Sequence, residues 1–412
     1  METYEGLDKR NLFRLPWSLN DNPIAWLEVT DVCNLACEGC YRQTITKHKT
    51  LEQLKEEILF FKRWRNPDNF SIAGGEPLIH PQIVDVVAFI REQGIKPVIL
   101  TNAQALTPEL LHELKKAGLA GFTFHIDSHQ GRPHWRGKTE KEHNELRQFY
   151  ADMAAKEGGL YVIFNSTVYP SSYHEIPDVM RWGLANMNKV HGLVFITYRT
   201  ATMDNSTGVS VGNEFVDISK LSYTRDRFDE KFVTGPEVYQ IIKENFPEYD
   251  ASSYLGGTIR HDSYKWLIGA MVGNGKKAYG SVGKRAMELA QMGHHIFNGT
   301  YLAYLAQSRI GAKIFLLSPW DKSLRQAGKN WLGDVLRHPG RLFDPVRVMS
   351  VGIIQAPDVQ PDGRADMCDS CPDITIYDGK FINSCRMDEY RLFGGLLTVV
   401  DKAKVKDTTP QN

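Results

Sequence analysis

Between about residue 22 and residue 200 the chain alternates short apolar runs with longer stretches that are apolar on one helical face. The short runs are Ala25–Thr30, Phe70–Ala73, Pro97–Thr101, Gly121–Ile126, Tyr161–Val168 and Gly192–Thr197. Between them Leu51–Trp64, Pro81–Gln93, Pro108–Ala117, Glu140–Ala155 and Tyr173–Ala185 repeat their apolar residues at the helical period. Alternation of this kind predicts an α/β fold whose parallel sheet is built through right-handed crossovers. Six repeats fit a partial, six-stranded β/α barrel better than a closed eight-stranded one. Chemistry in such folds sits at the C-terminal ends of the strands, and the polar motifs here fall at those ends.

Beyond residue 200 the pattern changes. Residues 201 to about 232 are rich in Gly, Ser, Asn and Asp and read as a linker or exposed loop. Longer helical stretches at Ser281–Gln307 and Lys322–Leu336 predict a mostly helical insertion, and a helix near Arg386–Val400 closes the chain. The expected division is an N-terminal extension (1–21), the partial barrel (22–200), a linker with a mostly helical substrate-binding insertion (201–360) and a C-terminal cysteine-bearing module with a closing helix (361–412). No apolar run reaches the ~20 residues of a membrane span. The opening METYEGLDKRNLF lacks the basic and apolar regions of a secretory signal, so the cytoplasm is the expected compartment.

The chain has 412 residues, 42% of them apolar, enough for a sizeable core. Its formal charges cancel, yet Leu255–Arg347 holds 14 Lys and Arg against 5 Asp and Glu. Basic and apolar residues interleave there, and in WDKSLRQAGKNWLGDVLRHPGRLF the residues Trp320, Leu324, Trp331 and Leu336 can share one side of a helix. Such a face either packs on a core with its lysines solvated, or meets an anionic amphiphile or the periphery of a membrane. The substrate expectation is therefore an anionic or amphiphilic molecule, and no nucleic acid is called for. Arg199 reads either as a carboxylate or phosphate partner or as a surface residue, and His294 and His295 as helix residues.

Six cysteines fall in two groups of three. A disulfide framework would spread them through a short secreted chain, whereas grouping in a long one favours metal. Three ligands are one short of structural zinc, but they suit a 4Fe-4S cluster with one iron left open. A zinc knuckle or a set of reactive thiols is the alternative. The first group, Cys33-x3-Cys37-x2-Cys40, follows the first strand in LEVTDVCNLACEGCYRQ. Gly74-Gly75-Glu76-Pro77 ends the second strand; two glycines allow close backbone approach, and Glu76 offers a carboxylate to an ammonium group. Thr101-Asn102, His125, Asp127 and Asn165-Ser166 end later strands. Each alone reads equally as a cap or turn residue, and together they form one ring.

These elements resemble the radical S-adenosylmethionine (SAM) superfamily over roughly residues 24–200. The resemblance implies that Cys33, Cys37 and Cys40 hold a 4Fe-4S cluster whose open iron chelates SAM. An electron from an external donor of flavodoxin or ferredoxin type would split the sulfonium bond, and the 5′-deoxyadenosyl radical would abstract hydrogen from substrate. It further implies that Gly74, Gly75, Glu76 and Pro77 bind the amino group of SAM, and that Thr101, Asn102, His125, Asp127 and Asn165 contact its ribose and methionine parts. The chain departs from the family where Gly39 replaces the aromatic residue before the last cysteine; Tyr41, just after it, is the expected substitute. His125 stands where many relatives have Ser.

The second group is Cys368-x2-Cys371-x13-Cys385, and ITIYDGKFINS between them reads as a hairpin turning at Asp378-Gly379. The spacing resembles the C-terminal cluster of the GTP cyclase of molybdenum-cofactor synthesis and a reduced form of the SPASM and twitch extensions. That implies a second 4Fe-4S cluster, for substrate binding or electron acceptance. Residues 201–360 are larger than the cyclase counterpart and the closing glycine pair is absent, so the GTP substrate is not carried over. A zinc site completed by Asp369 or Asp373 is the alternative. The functional expectation is a radical SAM enzyme acting on a phosphate-bearing or lipid-like substrate. A peptide-modifying radical SAM enzyme is the second reading, and a non-catalytic iron–sulfur or zinc protein the reading of another class. No catalytic acid or base is assigned.

Overall fold

The computed structural model describes residues 7–42, 47–198, 207–212, 214–217, 233–261, 263–304, 311–359 and 364–401. In chain order the strands are β1 (Phe13–Arg14), β2 (Ile24–Thr30), β3 (Asn69–Gly74), β4 (Lys96–Thr101), β5 (Gly121–His125), β6 (Tyr161–Val168) and β7 (Gly192–Thr197). Then follow β8 (Thr207–Val211), β9 (Glu214–Phe215), β10 (Ala251–Leu255), β11 (Trp266–Gly273), β12 (Ala278–Ser281) and β13 (Arg347–Ile354). The last are β14 (Asp358–Val359), β15 (Ala365–Asp366), β16 (Ile374–Tyr377), β17 (Lys380–Asn383) and β18 (Thr398–Asp401). The helices are α1 (Leu51–Arg65), α2 (Ile83–Glu92), α3 (Pro108–Lys116), α4 (Asn144–Glu157), α5 (Ile176–Ala185), α6 (Gly235–Asn245), α7 (Lys284–Asn298), α8 (Lys322–Arg337) and α9 (Met387–Phe393).

Strands β2 to β7 lie side by side in chain order and pair in parallel, each joined to the next by a helix. The sequence pattern explains this locally. Thr50 caps α1 in a capping box with Gln53, and Leu54, Ile58 and Phe61 bury one face of the helix. Along the strands, Phe70, Ile72, Phe122, Phe124, Val162, Phe164, Leu193 and Phe195 face the helices and form the core. Their alternates, among them Ser71, Thr123, His125, Asn165 and Thr167, take the concave face. The Tyr304 hydroxyl reaches Ser71 Oγ at 3.4 Å from the N-terminal end of the barrel, its ring 5.2 Å from that of Tyr161.

The sheet does not stop at six strands. β13 adds in parallel to β7, and β11 and β10 follow antiparallel, with β1 at the edge and β12 pairing off β11. The span 201–360, expected to be mostly helical, thus contributes strands to the central sheet beside α6, α7 and α8. WLIGAMVG and RVMSVGII are apolar on both faces because they are covered on both sides, so they carry no alternation. Part of the expected 201–232 loop is strand: β8 pairs with β9 and with β18. The expected helix 386–400 is α9 followed by β18. Gly394 adopts a positive φ at the end of α9, and a Cβ on Gly395 would press on Val211. Arg199 lies outside the described residues.

Residues 366–385 run from one end of the sheet to the other. Cys368 bridges to Gly257 and the Asp369 N–H donates to Gly256 O at 3.0 Å, while Arg14 pairs with Asp369. At the far end the hairpin of β16 and β17 lies against β2 and α1. Phe381 packs on Phe60 and Phe61 with ring centroids at 5.1 and 5.4 Å. The buried Arg65 donates to Ile24 O (2.7 Å), Leu19 O (2.9 Å), Cys371 O (2.7 Å) and Pro372 O (3.0 Å). One guanidinium therefore ties the barrel to the C-terminal cysteine segment.

At the start of β7, His191 accepts a hydrogen bond on Nδ1 from the Val162 N–H at 3.0 Å, and burial pushes its pKa down to about 4. The folded chain then binds fewer protons than the unfolded chain between that value and the unperturbed ~6.5. This stabilising contribution is present above the unfolded pKa and is lost as pH falls toward the folded one. Urea titrations across this window should show stability falling with pH, and His191→Gln should flatten the slope by about one proton. An unchanged slope in the variant would contradict the assignment.

Candidate functional site

β2 delivers the chain into the loop that carries Cys33, Cys37 and Cys40, all partly exposed. The Gly74-Gly75 turn packs directly on the backbone leading into this loop. Gly75 N–H donates to Thr30 O at 2.7 Å and Glu76 N–H to Val32 O at 2.8 Å. Gly74 has φ 124°, and a Cβ on either glycine would land on the Thr30 or Val32 carbonyl. The glycines thus serve the approach of one loop to another, where the sequence suggested approach to a ligand. Glu76 is fully buried and its carboxylate is engaged internally, by Thr101 Oγ1 (2.5 Å), Leu78 N–H (2.9 Å) and Asn102 N–H (2.8 Å). Burial pushes this carboxyl up in pKa, and those three donors oppose the push. Pro77 opens the short 3-10 turn that Glu76 caps.

Two further loops complete the clamp. The Asn102 amide donates to Asn34 Oδ1 at 2.7 Å and lies 3.9 Å from Cys33 Sγ. The Glu38 N–H donates to His129 O at 3.0 Å. Asp127 is buried and accepts from His125 Nε2 (3.1 Å) and from the His129 N–H (3.0 Å). Burial works against its charge, but these hydrogen bonds hold its pKa below the usual carboxylate value. His125 Nε2 also meets Thr167 Oγ1 at 3.0 Å. Asn165 is buried beside this pair in register, and its Oδ1 has no hydrogen-bond partner among the described residues.

Thr101, Asn102, His125, Asp127 and Asn165 thus lie at the strand ends around the thiol loop. Tyr41 is the exception. Its hydroxyl turns to Ser384 at 3.3 Å, on the C-terminal segment. The space at Gly39 is taken instead by Tyr169, whose hydroxyl would stand 2.5 Å from a Cβ there, and by Tyr198. Tyr169 stacks on His129 (3.9 Å) and on Tyr198 (4.9 Å). Sequence reading missed this aromatic group, which lies just past β6 and β7 and carries no motif. It also missed Arg132, a buried guanidinium that donates to Asn102 O (2.7 Å) and His125 O (2.8 Å).

Burial pushes all three thiols above the ordinary cysteine range. For Cys37, burial is followed by Asp127, Cys40 and Cys33, with Arg132 as the opposing cation. Three cysteines on one loop are soft donors that a positively charged metal group would deprotonate, and the chemistry of that donor set fits an iron–sulfur cluster. Among the described residues no three His, Cys, Asp or Glu side chains close on a single-ion site.

The second thiol group is held elsewhere: Arg65 joins Cys371 O to Ile24 O at the start of β2, whereas the first group follows the end of that strand. Cys371 is raised foremost by its contact with Cys368, then by burial. Burial pushes Asp373 up to about 7. The next residues after Cys40 reach across: besides Tyr41, Arg42 pairs with Glu28 of β2 and lies 3.7 Å from Asp388 of α9. Burial lowers the Arg42 pKa to about 9, and Cys385 is among the groups opposing that fall. Arg391 pairs with Asp31 at 2.7 Å. A buried set of charges thus joins the two cysteine segments.

Residues 27–183 match the radical SAM superfamily. The chain is 25% identical over 164 residues to the AdoMet-dependent heme synthase of Nitratidesulfovibrio vulgaris, covering 38% of this chain and 43% of that one. It is 35% identical over 108 residues to the GTP 3′,8-cyclase of Alkaliphilus oremlandii, covering 25% and 34%. Streptococcus suis SuiB bound to S-adenosylmethionine is similar over 55% of this chain and 47% of that one, with 14% identity and a TM-score of 0.39. The chain spans less than half the length of each.

If the glycine turn sets the thiol loop, Gly75→Ala should move it, since the added methyl group meets backbone. Iron bound after anaerobic reconstitution should fall by about half, with the helix content of the chain kept. Full iron content in that variant would show that the turn does not set the loop.

Proposed function

We propose that the chain, whose residues 27–183 match the radical SAM superfamily, is an enzyme that cleaves SAM reductively and abstracts hydrogen from an anionic, amphiphilic substrate. The observation that carries this reading is the thiol loop held between three strand-end loops, at the mouth of a partial barrel whose buried Asn165 Oδ1 has no partner among the described residues. Cys33, Cys37 and Cys40 would hold a 4Fe-4S cluster, which would supply the electron for reductive cleavage of SAM.

The residues of the chain position and shield. Glu76, Thr101 and Asn102 fix the loop, with all Glu76 donors drawn from the chain itself. Asn165 offers its amide oxygen to the hydroxyl or amino hydrogens of SAM, and Tyr169 and Tyr198 supply the aromatic wall at Gly39. Val194, Ile196 and Ile354 are half-buried on the sheet face opposite the helix-packed core, an apolar wall suited to the hydrocarbon part of an amphiphile. Cys368, Cys371 and Cys385 would hold a second 4Fe-4S cluster in this reading, which would serve substrate binding or electron acceptance. Electrons enter from a donor of flavodoxin or ferredoxin type.

The reconstituted chain should hold about eight irons and release 5′-deoxyadenosine from SAM under dithionite. Cys33→Ala should reduce that release to background, whereas Cys385→Ala should keep uncoupled SAM cleavage. Unaltered release from Cys33→Ala, or two bound zincs and no deoxyadenosine, would refute the proposal. Asn165→Leu should weaken SAM binding about tenfold, the loss of one buried hydrogen bond; an unchanged dissociation constant would remove Asn165 from the site.

A further inference from the structure

Residues 311–343 pack on the central sheet through one face only. Ile314, Leu324, Phe315 and Trp331 close against Ala270, Val272 and Val348. The opposite face carries large apolar side chains in the open: Trp320 is 65% exposed, Leu336 74% and Phe343 86%, with Leu316, Leu332 and Leu342 also exposed. These six lie on neighbouring elements, because α8 contacts both the 3-10 turn at Gly311–Leu317 and the one at Pro339–Phe343. On α8 itself Arg325, Lys329, Leu332 and Leu336 fall at i, i+4, i+7 and i+11, a single stripe that passes from basic to apolar.

The charges on this surface have one sign. Residues 311–343 contain six Lys and Arg and two acids, Asp321 and Asp334. Both acids are buried. Asp321 caps α8 through the Leu324 N–H and accepts from the Ala286 N–H of α7. Asp334 is surrounded by Lys277, Arg341 and Tyr279. Lys313, Lys322, Arg325, Lys329 and Arg337 are the exposed charges that remain, and among the described residues none of them pairs with a carboxylate.

We propose that this face docks on an anionic membrane surface, with Trp320, Leu336, Leu342 and Phe343 entering the interfacial layer and the lysines and arginines at the headgroups. Exposed apolar tips beside unpaired cations match a plane that is apolar beneath and negative above. No helix among the described residues is long and apolar enough to cross a membrane, so the contact is peripheral. This inference stands apart from the SAM reading, because none of these residues belongs to the thiol loop or its clamp.

Vesicle co-sedimentation of the full, reconstituted chain tests it, using phosphatidylcholine vesicles with and without phosphatidylglycerol. Binding should require the anionic lipid and fall steeply between ~0.1 and ~0.5 M salt. Leu336→Ser with Phe343→Ser should weaken it by about tenfold or more, as should Lys322→Gln with Lys329→Gln and Arg337→Gln. Both variants should keep the wild-type yield of 5′-deoxyadenosine in detergent-free buffer. No binding to either vesicle, or equal binding by wild type and both variants, would overturn the proposal. A concentration-dependent dimer that both variants abolish, without vesicle binding by wild type, would overturn it too and assign the face to a second copy of the chain.

Discussion

The site depends on one close approach: the Gly74-Gly75 turn lies directly on the Thr30–Val32 backbone. Two main-chain hydrogen bonds cross that contact, and no side chain fits between. The position of Cys33 is therefore set by main-chain contact rather than by the cysteine loop's own stiffness. Glu76 extends the constraint to β4 by accepting from Thr101 and Asn102. His129 secures the other side of the loop. Three short loops from consecutive strand ends thus hold the backbone of the cysteine loop.

A second constraint is topological. An open sheet has two edges, and edges left bare invite unwanted pairing. Here the C-terminal segment 366–385 lies between the β10 end and the β2 end, so a stretch needed to cover the opening also carries three cysteines. Arg65 holds it by capping four carbonyls on two segments. Arg42, Glu28 and Asp388 then form a buried charge set that joins the end of the first thiol loop to β2 and α9. Covering the opening and placing the second cysteines are one structural event.

Much of this was legible in the sequence because it is local. All six parallel strands appear where apolar runs alternate with amphipathic helices, displaced by at most one residue at any end. The cysteine spacing and the GGEP turn marked the mouth of the barrel. What remained hidden depends on distant contacts. Nothing in TVYPSS announces that Tyr169 fills the space left by Gly39, nor that Arg65, at the end of an ordinary helix, reaches Cys371. The roles of Gly75 and Glu76 also read differently in three dimensions: the chain itself supplies the close neighbour and the donors. The strands of 251–281 and 347–354 escaped because burial on both faces erases the period of two.

The central claim is that Cys33, Cys37 and Cys40 bind a cluster with one iron open to SAM. Electron–nuclear double resonance tests it most directly, on the reduced, reconstituted chain with SAM isotopically labelled in its amino and carboxylate groups. The account predicts hyperfine coupling to both labels, retained when Cys368, Cys371 and Cys385 are all changed to Ala. Absence of coupling in a chain that carries its full iron would contradict it.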